Sequence, residues 1–290
     1  MPVRPSPTVR SKRLRRELRR LREERGLTIE KVADLAGGEW NPSTLGRWEK
    51  GDRRIRPADL RHLLDVYEIH GDQRDALLTL AREARQRGWW QAYADVLPSE
   101  YSSYIGLETE AREIRTYQQQ LIPGIVQTAD YARAVIQAAR PDDDTDAIER
   151  RVDVRLDRQK VLADPQPTNL WAVIDEASIR RVVGNREVMR EQLEYLSEVA
   201  ERPGIQVQVL PFEAGAHAAM AASFVIMGFE APDPNVVYID TGTSALFVED
   251  PTDLAAYRLI FDHLRASAQS PSESMRVLRN AAQNFAQRPT

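Results

Sequence analysis

Asn41-Pro42-Ser43-Thr44-Leu45-Gly46-Arg47-Trp48-Glu49-Lys50-Gly51 reads as one short helix with both ends marked. Asparagine suits the N-cap, where its side-chain oxygen accepts an otherwise unpaired backbone N–H. Proline suits the first helical position, because its missing N–H would have had no partner there. Gly51 suits the left-handed residue that closes a helix. The 3.6-residue period puts Leu45 and Trp48 inside and leaves Ser43, Thr44 and Arg47 outside. Gly46 is unfavourable in a helix interior by about 1 kcal/mol relative to alanine, so it is read as a place where a neighbouring backbone comes close.

Upstream, residues 12–25 carry Leu14, Leu18 and Leu21 as one apolar stripe on a charged helix, and Gly26 follows as its C-terminal glycine. Thr28 is placed to cap a second short helix whose inner face is Ile29, Val32, Ala33 and Leu35, ended by Gly37-Gly38. Downstream, residues 57–69 and 72–87 show two more amphipathic patterns. Two short helices joined by a glycine-containing turn, within five helices, make a helix-turn-helix. Residues 1–88 hold 21 Lys and Arg against 14 Asp and Glu, whereas the remainder holds 19 against 30. The front is therefore basic and the rear acidic, which points to a polyanionic partner for the front or to a merely solvated basic helix.

Leu14 and Leu18, the run from Leu27-Thr28-Ile29 to Ala33, and above all Ser43 to Gly51 with its Trp48-Glu49-Lys50-Gly51 ending, resemble the lambda-repressor/Cro-like (XRE-type) DNA-binding domain over about residues 11–87. The resemblance implies that helix 42–50 enters the major groove of double-stranded DNA by its N-terminal end. Ser43 and Thr44 are short enough for a base edge or a phosphate, and Arg47 can make a bidentate contact to guanine. Lys31, Arg53, Arg54 and Arg56 suit the flanking phosphates, and Glu49 suits an ion pair inside the domain. A homodimer is expected from the two-fold operators usual for this motif. Residues 1–10, rich in proline and arginine, are expected to be a disordered arm.

Residues 88–104 carry Trp89, Trp90, Tyr93, Tyr101 and Tyr104 around Leu97-Pro98, and are read as a linker with bulky anchors. Helices are expected over 105–120, over 128–140 with Thr128 as cap, and over 147–162. The acidic stretch 141–146 lacks the spacing of a calcium loop and suits a helix N-terminus. Strands are expected at 170–175, 205–210, 223–229, 236–241 and 244–248, with helices at 186–201, 253–268 and 272–286. This makes residues 105–290 an α+β domain, and the chain α+β overall behind an all-α front. The stretches Leu107 to Ala111, Leu121 to Ala132, Arg158 to Leu162 and Pro211 to His217 resemble the effector-like domain of actinobacterial XRE-type regulators, a group described as antitoxin-like. That resemblance implies an architecture and a small partner protein encoded nearby, but no catalytic or ligand residue.

The 290 residues suffice for two domains of about 150 each, and 42% hydrophobic with 29% charged residues is a globular composition. With no cysteine, disulfides, thiolate metal sites and cysteine nucleophiles are excluded. The four histidines are scattered without metal-ligand spacing, no phosphate-cradling glycine loop occurs, and no serine elbow occurs. His217 is read as a loop histidine, and Asp175-Glu176 as the start of a helix. No cofactor, no metal, no membrane span and no enzymatic activity are expected, and a cytoplasmic, nucleoid-associated location is. The function expected is a sequence-specific transcriptional regulator whose rear domain senses an effector or dimerises. The alternative is an antitoxin-like protein that binds a small partner and autoregulates.

Overall fold

The computed structural model describes residues 9–85, 88–163, 167–231 and 233–287. The expected arm lies outside the described residues except for its last two positions, and Arg87 lies outside them as well. The chain divides into two compact units between Gln91 and Ala92.

The first unit contains α1 (Val9–Glu24), α2 (Ile29–Leu35), α3 (Pro42–Lys50), α4 (Pro57–Val66) and α5 (Gly71–Glu83). Local chemistry sets the boundaries. Thr28 Oγ1 accepts the Lys31 N–H at 3.2 Å, and Gly26 and Gly51 sit at φ 64° and 87°, where a side chain would be strained. Leu14, Leu18 and Leu21 meet Leu45 and Trp48 in one core, in which Trp48 lies edge-on to Trp40 at 5.1 Å. Glu49 makes the expected internal ion pair: Arg22 donates through Nε to Oε1 at 2.6 Å and through Nη2 to Oε2 at 2.9 Å, tying α1 to α3.

Two expectations here are corrected. Leu35 is 51% exposed, and Ala36 takes the inner position beside Val32 and Ala33. In so short a helix the apolar stripe continues one residue past the last turn rather than through Leu35. Gly46 meets no neighbouring backbone: a Cβ built there would find nothing within 4 Å. Gly46 shares its helix face with Ser43 and Lys50, three and four residues away, and both are exposed.

The second unit is a six-stranded mixed sheet with helices: α6 (Ser99–Glu110), β1 (Glu113–Gln118), α7 (Ala129–Ala139), α8 (Thr145–Arg158), β2 (Asn169–Asp175), α9 (Glu176–Arg180), α10 (Arg186–Ala200), β3 (Ile205–Leu210), β4 (Phe224–Gly228), β5 (Val236–Asp240), β6 (Ala245–Val248), α11 (Pro251–Ser267) and α12 (Pro271–Ala286). The strand order is β3-β2-β1-β4-β5-β6. The first three are parallel and β4, β5 and β6 add antiparallel. Ala172, Val173 and Ile174 are all fully buried, as a parallel strand covered on both faces requires. One face packs Tyr117, Val173, Phe224 and Val237 against Phe261 and Leu264 of α11.

The helix expected over 105–120 is corrected to the end of α6 followed by β1, a central strand. The segment read as linker, 88–104, holds a 3-10 turn at Trp89–Tyr93 and then the first turns of α6. Tyr101 and Tyr104 stack at 5.9 Å, and Tyr104 packs on Tyr238 of β5 at 4.3 Å. Tyr104 is core of the second unit, and Tyr101 is half-buried against it. Thr128 and Asp144 cap α7 and α8, the latter accepting the Ala147 N–H at 2.7 Å. Among the described residues no helix is long and apolar enough to cross a membrane.

Candidate nucleic-acid interface

The first turn of α3 is organised around one oxygen. Asn41 Oδ1 accepts from the Thr44 N–H at 2.9 Å, from Thr44 Oγ1 at 2.9 Å and from Ser43 Oγ at 2.8 Å. Arg47, one turn on, lies back along the helix: Nε donates to the Ser43 carbonyl at 3.2 Å and Nη2 to Thr44 Oγ1 at 3.4 Å. Thr44 is only 9% exposed, which corrects its expected place on the outer face. Its hydroxyl is held between the cap and the guanidinium, so it orients Arg47 instead of standing free. Ser43 and Arg47 are exposed.

The cations on and around α3 differ in their partners from the arginines of α1. On α1, Arg19 pairs with Glu23 at 2.7 Å, and Arg20 with Glu17 at 2.9 Å and Glu24 at 2.5 Å. Those hydrogen bonds, to Glu23 for Arg19 and to Glu17 for Arg20, raise the two guanidinium pKa values. Among the described residues Arg47, Lys50, Lys31, Arg53 and Arg56 have no carboxylate within ion-pair distance, and all five are exposed. Lys31 lies in the first turn of α2, Arg53 in the loop after α3, and Arg56 at the N-cap of α4. Arg54, also exposed, has its pKa lowered by partial burial and by the nearby Arg85. Exposed cations without a carboxylate partner are suited to phosphate, and an exposed guanidinium on a helix that enters a groove is suited to a base edge.

A second polar cluster, separated in sequence by 58 and 100 residues, joins the carboxyl ends of β1 and β2 to the loop after β3. His217 Nδ1 accepts the Ala219 N–H at 3.2 Å, which leaves the proton on Nε2, 3.1 Å from the Tyr117 hydroxyl. Tyr117 in turn donates to Asp175 Oδ2 at 3.4 Å, and Asp175 Oδ1 caps α9 through the Ala177 N–H at 2.8 Å. Burial, and then Asp175, push the Tyr117 pKa well above the ordinary tyrosine range, so the phenol keeps its proton. His217 and Asp175 stand out singly in the sequence, but nothing local in it brings them together at Tyr117. Among the described residues no group of three potential ligands is placed to hold a metal ion.

A family model described as a helix-turn-helix domain matches residues 13–77, so the first unit carries such a domain, and a role as a DNA-binding regulator rests on it. No curated protein and no solved structure matched the chain. A second family model, described as a domain of unknown function (DUF5753), matches residues 101–280, well over half of the length. The chain therefore belongs to the DUF5753 family, with a helix-turn-helix domain ahead of the shared domain.

Proposed function

We propose that this chain is a sequence-specific transcriptional regulator of the lambda-repressor/Cro-like kind, working in the cytoplasm as a homodimer on double-stranded DNA. Helix α3 enters the major groove N-terminus first, Arg47 contacts guanine and Ser43 contacts a base edge or phosphate. Thr44 acts through Arg47, and Lys31, Arg53, Arg54 and Arg56 hold the backbone. The observation that carries this reading is Arg47: exposed, without a carboxylate partner, and already aligned along the helix by Ser43 and Thr44. An aligned guanidinium needs little further ordering to make a bidentate contact.

The second unit serves effector sensing or dimerisation in this reading and carries out no reaction. The test is selection of genomic fragments by the purified full chain at physiological salt, with the bound sequences scored for inverted repeats. Enrichment of one inverted repeat is expected. Recovery of random DNA alone would remove sequence specificity, and enrichment of undivided single half-sites would remove the dimer.

A further inference from the structure

The second unit contains an open cavity of about 700 Å³, within the range of small-molecule sites. One wall is helical: Ile136 belongs to α7 and Arg140 is the residue that caps its C-terminus, while Arg151 and Arg155 belong to α8. The opposite wall is the end of β5 with the turn that follows, from Tyr238 and Asp240 to Ser244, closed by Glu100 and Tyr101 of α6. All of these residues lie in the one compact unit.

The charges on the two walls are not paired with one another. Arg151 is neutralised by Asp143 at 3.0 Å. Arg155 has only a neutral partner, the Oε1 of buried Gln127 at 2.8 Å, which fixes the guanidinium without compensating its charge. Arg140 has no carboxylate partner among the described residues. Across the cavity Asp240 accepts from the Gly242 N–H at 2.8 Å, and neither Asp240 nor Glu100 reaches a cation within ion-pair distance among the described residues. Cations on one side, carboxylates on the other and apolar surface between them describe the complement of a polarised molecule.

We infer that this cavity is a binding site for an amphipathic small-molecule anion: one carboxylate or phosphate held by Arg155 and Arg140, an apolar or aromatic body against Ile136, Tyr101 and Tyr238, and a hydroxyl or amine turned to Asp240 or Glu100. Guanidinium is the side chain best matched to a planar or tetrahedral oxyanion. The two carboxylates disfavour polyanions such as nucleoside triphosphates, since like charges there would repel them. The site deepens the reading of the second unit as effector-sensing, and it rests on that reading only for its regulatory consequence.

The experiment titrates the full chain, without DNA, with anilinonaphthalene sulfonate, an aromatic monoanion whose fluorescence rises on transfer to an apolar site. N-Phenylnaphthylamine, the same body without the anion, is the control. Saturable one-to-one binding of the sulfonate, much tighter than that of the amine, is expected. Arg155→Gln removes a charge-assisted contact and should weaken the sulfonate by about tenfold or more while leaving the amine unchanged. Because Arg155→Gln also touches Gln127, Thr243→Trp provides an independent block: it fills the cavity from an exposed turn and should abolish binding of both dyes with an unaltered melting curve. Displacement of the dye by phenylacetate or by phenyl phosphate tells which oxyanion the arginines prefer.

Equal affinity for the two dyes, or full sulfonate binding by both variants, would overturn the site. Saturable binding that leaves affinity for the selected DNA unchanged would establish the site and remove its regulatory role.

Discussion

Arg158 and Arg47 are the same residue used in opposite ways. Arg158, in the second unit, is 4% exposed and donates through Nε and Nη2 to the two oxygens of Glu108 at 2.7 and 2.8 Å, with Tyr101 and Tyr104 completing its shell. Burial opposes its charged form, but Glu108 and the two tyrosines reverse that and raise the guanidinium pKa well above its ordinary value. Arg47, in the first unit, is exposed and bonded only to neutral oxygens. The charge of Arg158 is consumed within the fold, whereas that of Arg47 is available to a partner. A count of arginines therefore says little about binding until each one is assigned a neighbour.

The largest effect is expected at Glu108. Glu108→Ala leaves Arg158 as a buried cation without its anion, a change that typically costs about 3–5 kcal/mol. Denaturant unfolding followed at Trp171, in β2 of the second unit, should show that loss. The double variant Glu108→Leu with Arg158→Met replaces both charges by apolar volume and should recover most of the stability. If the single variant unfolds at the wild-type midpoint, the ion pair contributes nothing and the contrast with Arg47 is lost.

Arg47→Ala tests the other side. It should leave the melting temperature unchanged and remove about 1–3 kcal/mol of discrimination at one base pair of the selected site. Equal losses on specific and random DNA would move Arg47 from base to backbone. Thr44→Val is the companion variant: it keeps the buried shape, deletes the hydroxyl that holds Nη2, and should loosen the same base preference by a smaller factor.

What the sequence made legible follows from how local each signal is. Helix α3 is readable to the residue because Asn41, Pro42 and Gly51 act within a few bonds of its ends. Strands β2 to β6 are readable because apolar runs bounded by polar turns carry their own pattern. The strand β1 is not, because Glu113-Ile114-Arg115-Thr116-Tyr117-Gln118 follows α6 with no glycine or proline between, and only pairing with β2 and β4 distinguishes it from more helix. Angular position alone puts Thr44 outside, but the Asn41 cap draws its hydroxyl inward. The Tyr117–His217 contact and the arginine-lined cavity are invisible for a different reason: their members come from elements that only the sheet topology brings together.

Gly46 carries a prediction of about 1 kcal/mol with two readouts of opposite sign. A Cβ there meets open space, so Gly46→Ala should stabilise the first unit by about that amount through helix propensity alone. The same methyl group would stand on the face shared with Ser43 and Lys50, where the proposed groove contact is closest. A higher melting temperature combined with weaker DNA binding is expected. Stabilisation with unchanged binding would show that the duplex does not approach this part of α3.

The smallest effects compare Arg53 with Arg20. Arg53 has no carboxylate partner among the described residues and faces the solvent after α3, so Arg53→Ala should weaken all DNA sequences alike and reduce the salt slope of binding by about one. Arg20 is clasped by Glu17 and Glu24, so its counter-charge already travels with it. Arg20→Ala should leave the salt slope as it was and shift stability by no more than about 0.5 kcal/mol, as exposed helix pairs do. A salt slope that falls equally for both variants would mean that DNA strips the glutamates from α1. The interface would then extend across the basic helix as a whole, and the distinction between paired and unpaired arginine would hold only in the free protein.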